Sequence, residues 1–178
     1  MQFLDQVTSS YCEPILDAPC GFGRNALALA ARGYDVVAVD KDLDCLDSLK
    51  NTAAIKLDGP KWIRSGKVFP VCADLKPSRL PFGESSFSAI VCVHYPVQEI
   101  ISDLCTALKD GGWLYIETFG GQGQNYLELP RAGAIRRALE GHKLVYYKER
   151  PVGPTHQEAV AVCALSQKSN RPQGFDQS

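Results

Sequence analysis

No run of apolar residues in this chain approaches the length of a membrane span, and Met1 to Pro14 lack the apolar core of a secretion signal. These absences predict a cytoplasmic protein that does not engage a membrane. The seven cysteines, at 12, 20, 45, 72, 92, 105 and 163, form no C-x-x-C pair and stand beside no closely spaced histidines. A zinc site is disfavoured on that ground, no metal ligand set is expected, and a reducing compartment is the natural setting. Cys72, Cys92 and Cys163 fall inside apolar strand-like runs, where a thiol behaves as a small hydrophobe. An excess of charge is missing too: 19 Lys and Arg face 20 Asp and Glu, for a formal net charge of −1, so no global field pulls the chain toward nucleic acid. No internal repeat is visible in the sequence, and no second domain is expected. The 178 residues suit one domain, taken as 1–167, with 168–178 expected to be a disordered polar tail.

What the chain does have is concentrated between Ile15 and Leu29, I-L-D-A-P-C-G-F-G-R-N-A-L-A-L. An apolar pair, an acid, a glycine-rich turn and an alanine-rich helix start follow one another in the order of a strand, a nucleotide-binding loop and a helix. Gly21 and Gly23 are expected to let the backbone turn tightly and a ligand come close. The helix start near Arg24 would point backbone N–H groups at a carboxylate or phosphate. A G-x-G-x-x-A, as in Gly21 to Ala26, also serves plain strand-to-helix packing, so its neighbours decide.

The next strand, Asp35 to Asp40, ends in an acid seventeen residues after Gly23, where a carboxylate with two acceptor oxygens can hold both hydroxyls of a ribose. NAD and S-adenosylmethionine both fit that feature. Two others separate them. Asp17 stands before the glycines, where it would repel a pyrophosphate but attract a sulfonium or ammonium. A third acid, Asp74, ends the run Val68-Phe-Pro-Val-Cys-Ala-Asp74 and suits a hydrogen bond from an adenine amino group.

From Ile15 to about Leu165 the chain resembles the class I S-adenosylmethionine-dependent methyltransferases. The resemblance rests on L-D-A-P-C-G-F-G-R-N, V-V-A-V-D-K-D, C-A-D-L, L-P-F-G-E-S-S-F-S-A-I-V-C-V-H-Y and L-K-D-G-G-W-L-Y-I-E-T-F. Within that family, R-N after the glycines and A-A-R-G-Y-D-V-V-A-V-D resemble the small branch that includes tellurite-resistance methyltransferases. Ala18, Pro19 and Cys20 depart from the commonest form of the loop.

The resemblance implies an α/β fold: a Rossmann-like, mostly parallel sheet with an antiparallel last strand and helices on both faces. It implies S-adenosylmethionine as cofactor, S-adenosylhomocysteine as product, and cofactor contacts at Asp17, Cys20, Gly21, Gly23, Arg24, Asp40, Lys41, Asp74 and Leu75. His94, leaving the fourth strand, is the candidate general base, imidazole being the side-chain type best suited to moving protons near neutral pH. Tyr95, Asn125 and Tyr126 are candidates for binding substrate. Glu117 reads as a buried hydrogen-bonding acid rather than a catalytic one.

Apolar patterning and turn residues predict strands at 15–17, 35–40, 67–73, 87–93, 113–118, 142–151 and 158–166. Helices are predicted at 24–32, 42–54, 97–108 and 130–140, with Leu43, Leu46 and Leu49 marking the second. Asp110-Gly-Gly112 is expected as the turn into the fifth strand. The short stretch before the first strand leaves little room for substrate-recognition helices, which points to an open site, one completed by a neighbouring subunit such as a homodimer partner, or a truncated chain.

The leading expectation is methyl transfer to a small molecule, with a thiol or chalcogen oxyanion as one class of acceptor. A non-catalytic S-adenosylmethionine-binding module working through a partner, an RNA or protein methyltransferase, and an NAD-dependent oxidoreductase are the alternatives. Strand four lacks an N-P-P-Y ending, which disfavours nucleic-acid bases as acceptors. Arg131, Arg136, Arg137, Lys143, Lys148 and Arg150 nonetheless make the C-terminal part basic.

Overall fold

The computed structural model describes residues 13–57, 65–76, 80–118, 128–153 and 158–170. Its elements run β1 (Ile15–Asp17), α1 (Arg24–Ala30), β2 (Val36–Asp40), α2 (Leu43–Lys56), β3 (Val68–Cys72) and β4 (Phe87–Val93). A 3-10 turn (Val97–Glu99) then leads to α3 (Ile101–Ala107), β5 (Leu108–Glu117), α4 (Ala134–Ala138), β6 (His142–Pro151) and β7 (Val160–Lys168).

The strands form one sheet in the order β3-β2-β1-β4-β5-β7-β6. β3, β2, β1, β4 and β5 pair in parallel, and β7 runs antiparallel to both β5 and β6. The expected mostly parallel sheet with an antiparallel last strand is therefore present. β7 also wedges between β5 and β6 instead of lying at the edge.

Alternation along the central strands sends apolar side chains to both faces, as a sheet covered on both sides requires. Leu16, Ile90, Cys92, Leu114 and Ile116 pack with Leu104 of α3 and Ile135 of α4. Ile15, Val36, Ala38 and Val91 pack on the other face with Ala26 and Leu29 of α1 and Leu46 and Leu49 of α2. α2 opens on Asp42, whose carboxylate accepts from the Asp44 and Cys45 N–H groups at 2.9 and 3.3 Å, satisfying donors that the first helical turn leaves free.

Several boundaries differ from expectation, each for a local reason. Leu43 is 62% exposed, because steps of three residues lag the helical turn and place it about 120° around from Leu49. Cys72 is exposed since β3 is an edge strand, whereas Cys92 in a central strand is buried. The helix expected at 97–108 is interrupted at Ile100 and ends at Ala107.

Asp110-Gly-Gly112 is no turn between elements. It lies inside β5, where Phe87 pairs with Leu108 and Ala89 already pairs with Trp113. Glycine is needed there because a Cβ on Gly112 would sit 2.8 Å from the Lys109 carbonyl and 2.9 Å from the Ser88 carbonyl. The helix expected at 130–140 is confined to Ala134–Ala138, and Arg131 instead bridges to Ala159.

Lys168, expected in the polar tail, is the last residue of β7. Its ammonium donates to the Cys105 and Leu108 carbonyls at 2.8 and 2.6 Å, which anchors it to the α3–β5 junction. Residues 171–178 lie outside the described residues.

Candidate active site

The chain leaves β1 at Asp17 and enters a turn pinned between two other strands. Ala18 N–H donates to the Val91 carbonyl of β4 at 3.0 Å, and Cys20 N–H donates to the Val39 carbonyl of β2 at 2.8 Å. Gly21 and Gly23 both take left-handed backbone angles, φ 51° and 77°. Their surroundings differ. A Cβ on Gly21 would meet nothing within 4 Å, while one on Gly23 would fall 2.2 Å from Leu49 Cδ1. Gly21 leaves open space over the turn, and Gly23 instead lets the turn sit down on α2. Phe22, between them, is 66% exposed and escaped the motif reading because its position is a variable one.

Asp17 is wholly buried, so it is not the open anionic surface expected from the sequence. Its Oδ2 accepts the Ala26 N–H at 3.0 Å, tying the turn to α1 and using one of the backbone donors expected to face a ligand. Among the described residues Oδ1 has no hydrogen-bond partner in good geometry, although the Asn25 side chain is close enough to favour the anion. Burial pushes this carboxyl up to about 7, against the lowering effects of Ala26 and Asn25.

Asp40 ends β2 with both oxygens engaged. Oδ2 accepts the Gly21 N–H at 2.8 Å and Oδ1 the Asp42 N–H at 3.0 Å. A carboxylate offers about four lone-pair sites, so each oxygen keeps acceptor capacity for a hydroxyl. Asp74, just past β3, folds back to accept the Lys76 N–H at 2.9 Å.

A cleft of about 490 Å³ is lined by Pro19, Asp40, Lys41, Ala73, Asp74, Leu75, Lys76 and Tyr95. It gathers Asp40, Lys41, Asp74, Leu75 and Tyr95 of the anticipated residues. Pro19, Ala73 and Lys76 were missed, and their only signal was adjacency to residues already singled out. Burial first, then the Asp74 charge, pushes the Tyr95 hydroxyl up to about 12, so it stays a neutral donor.

His94 does not share this cleft. It turns at φ 58°, donates its N–H to the Glu117 carbonyl, and lines a second hollow of about 750 Å³ with Glu117, Thr118, Lys148, Arg150, Ala161, Val162 and Cys163. Glu117 is half-buried and accepts the Tyr115 hydroxyl at 2.8 Å, in keeping with the hydrogen-bonding acid expected there. Cys20 is buried beneath the turn with its thiol pushed up to about 12 by burial and the nearby Asp17 and Asp40 charges, so it is no ready nucleophile. Arg24 opens α1 exposed and is not among the residues lining either space. Asn125 and Tyr126 lie outside the described residues.

A family model described as a methyltransferase domain matches residues 15–112, from the first residue of β1 into β5 and more than half of the chain. The chain belongs to the methyltransferase domain family. This methyltransferase domain is 28% identical over 134 residues to a ubiquinone biosynthesis O-methyltransferase of Chromobacterium violaceum, covering 71% of the chain and 53% of the relative. The chain thus spans about half the length of that relative.

Solved structures share its fold. A S-adenosylmethionine-dependent methyltransferase of Methanosarcina mazei aligns with TM-score 0.66 at 19% identity, covering 94% of this chain and 98% of that one. TehB from Haemophilus influenzae aligns with TM-score 0.66 at 16% identity, covering 94% and 62%. The family's methyl donor is S-adenosylmethionine. No described helix of this methyltransferase domain is long and apolar enough to cross a membrane.

Proposed function

We propose that this domain binds S-adenosylmethionine over the turn after β1 and transfers its methyl group to a small-molecule acceptor. The observation that carries the reading is Asp40, held by the Gly21 N–H at 2.8 Å on the wall of a cleft it shares with Asp74 and Tyr95. In this reading Asp40 takes the ribose hydroxyls and Asp74 the adenine amino group, with Lys41, Leu75 and Tyr95 walling the nucleoside. The open space over Gly21 suits the amino-acid end of the ligand, and in this reading the buried Asp17 carboxylate attracts its ammonium.

When bound, the sulfonium supplies a methyl carbon already activated for attack, so the protein's work is alignment and exclusion of water. An acceptor's lone pair forms the new bond, the old carbon–sulfur pair stays on sulfur, and any acceptor proton needs somewhere to go. In this reading His94, at the end of β4, receives it.

A small acceptor agrees with the division of the basic residues. Arg136 stacks over Tyr147 at 4.3 Å on the α4 side of the sheet, whereas Lys148, the next residue along β6, lines the hollow at His94. The basic residues are thus divided between the two faces of the sheet, Arg136 on one and Lys143, Lys148 and Arg150 on the other, which leaves fewer cations on either face for a nucleic-acid backbone. The Chromobacterium relative is an O-methyltransferase by name, so an oxygen nucleophile joins thiols and chalcogen oxyanions as an acceptor class.

Calorimetry with S-adenosylmethionine, S-adenosylhomocysteine and NAD tests the donor: the two adenosyl ligands bind and NAD does not. Incubation with methyl-labelled donor and a metabolite extract then yields a labelled small molecule. Binding of NAD in preference, or label appearing only in RNA or protein, overturns the proposal.

A further inference from the structure

We infer that the hollow beside His94 is the acceptor site and that it selects an acceptor carrying an acidic group, carboxylate or phosphate. The inference rests on the methyl-transfer reading above and specifies its substrate class. Three strands build the hollow in register. Glu117 of β5 pairs with Cys163 of β7, which pairs with Lys148 of β6, and one step along the same face Ala161 pairs with Arg150. Alternation puts these side chains on one side of the sheet. Ala161 and Cys163 are the small residues of the row, so between the acid and the basic pair the floor drops away, leaving the space of about 750 Å³. Its water-accessible room, about 380 Å³, is within the range of small-molecule sites.

The charges around it are uneven. Glu117 is already occupied by the Tyr115 hydroxyl at 2.8 Å, and that hydroxyl also lies 3.6 Å from Cys163 Sγ. Opposite stand Lys148 and Arg150, both exposed, with Arg150 also interacting elsewhere within the protein. One engaged carboxylate against an ammonium and a guanidinium favours an anionic ligand and penalises a cationic one.

The hollow also sits where an acceptor is needed. His94 and Tyr95 are consecutive, yet His94 lines the hollow and Tyr95 the nucleoside cleft, so the two spaces flank one dipeptide at the exit of β4. The hydrogen bond from His94 N–H to the Glu117 carbonyl fixes that dipeptide against β5. An acid gripped at Lys148 would hold the rest of a small molecule across Ala161 and Cys163 toward His94.

The test titrates the protein, with and without saturating S-adenosylhomocysteine, with benzoate, phenyl phosphate and benzyl alcohol. We expect at least one acid to bind and the alcohol to bind at least about tenfold more weakly, the acid arm that binds better naming the group. Lys148→Gln should weaken that acid by about tenfold, the effect of losing one charge-assisted hydrogen bond, while leaving S-adenosylhomocysteine affinity unchanged. Lys143→Gln, further along β6 and outside the hollow, should change neither. Absence of acid binding, equal binding of the alcohol, or equal losses in the two lysine variants overturns the inference. Failure of S-adenosylhomocysteine to bind would instead strike the donor assignment, which the same titrations report separately.

Discussion

The Asp40 carboxylate reaches across from the end of β2 to accept the Gly21 N–H at 2.8 Å, so one side chain both shapes the glycine turn and walls the cleft. Replacing it therefore removes two things at once. Asp40→Ala should weaken S-adenosylhomocysteine by about 1 to 3 kcal/mol and lower folding stability by about 1 kcal/mol, since the Gly21 and Asp42 N–H groups lose their acceptor. Calorimetry and urea unfolding read the two effects separately, and an unchanged affinity would remove Asp40 from the ribose.

The two glycines of the turn should respond to different degrees. Gly23→Ala drives a methyl into the buried Leu49 side chain and into a left-handed backbone, which predicts a stability loss of about 2 to 4 kcal/mol. Gly21→Ala meets open space and should cost about 1 to 2 kcal/mol from backbone angle alone, while weakening ligand binding because the new methyl occupies the approach. Denaturant midpoints beside ligand affinities check the contrast, and equal stability losses would contradict it.

Asp17 should give the domain a pH signature. Burial raises its carboxyl from an ordinary 3.8 to about 7, so the folded state binds more protons than the unfolded one between those values. Its contribution to stability is therefore fully present below about 4, declines as pH rises toward about 7, and levels above that. Affinity for an amino-bearing ligand should rise over the upper part of the same window as the carboxyl ionises. Asp17→Asn should flatten both trends, measured by urea unfolding and calorimetry across pH. Identical slopes in the variant would assign them to other groups.

His94 holds φ 58°, an angle that glycine takes without strain, so His94→Gly removes the imidazole while sparing the turn. Relief of backbone strain and the greater freedom of glycine in the unfolded chain, each about 1 kcal/mol, should nearly cancel in the melting temperature. If the imidazole takes the acceptor proton, the variant should lose about 100-fold or more in kcat, together with the acidic limb of the pH profile. A full rate at every pH would show that the proton leaves by another route.

Much of the scaffold was legible because it is written in local periodicity. The bounds of β1, β4 and β6 coincide with their apolar and turn patterns, and the acids at 17, 40 and 74 follow three successive strands as expected. Where local signals competed, one was misread. Gly111 and Gly112 look like a loop, yet here Gly112 gives the close backbone approach that carries β5 past Ser88. Pro130 looks like a helix start, but its carbonyl accepts the Val160 N–H of β7 at 3.0 Å and Arg131 bridges to Ala159 just before that strand.

By itself the sequence determined the succession of strand, glycine turn and helix and the kind of ligand that succession admits, because those depend on residues within a few positions of each other. Only the tertiary structure decided that Asp17 would be buried, that Asp40, Asp74 and Tyr95 would line one cleft, and that His94 would line a second hollow. It also inserted β7 between β5 and β6, bringing Lys148 opposite Cys163 and Glu117. Those neighbours are far apart along the chain, and what joins them is sheet pairing and burial, which depend on the whole sheet being assembled.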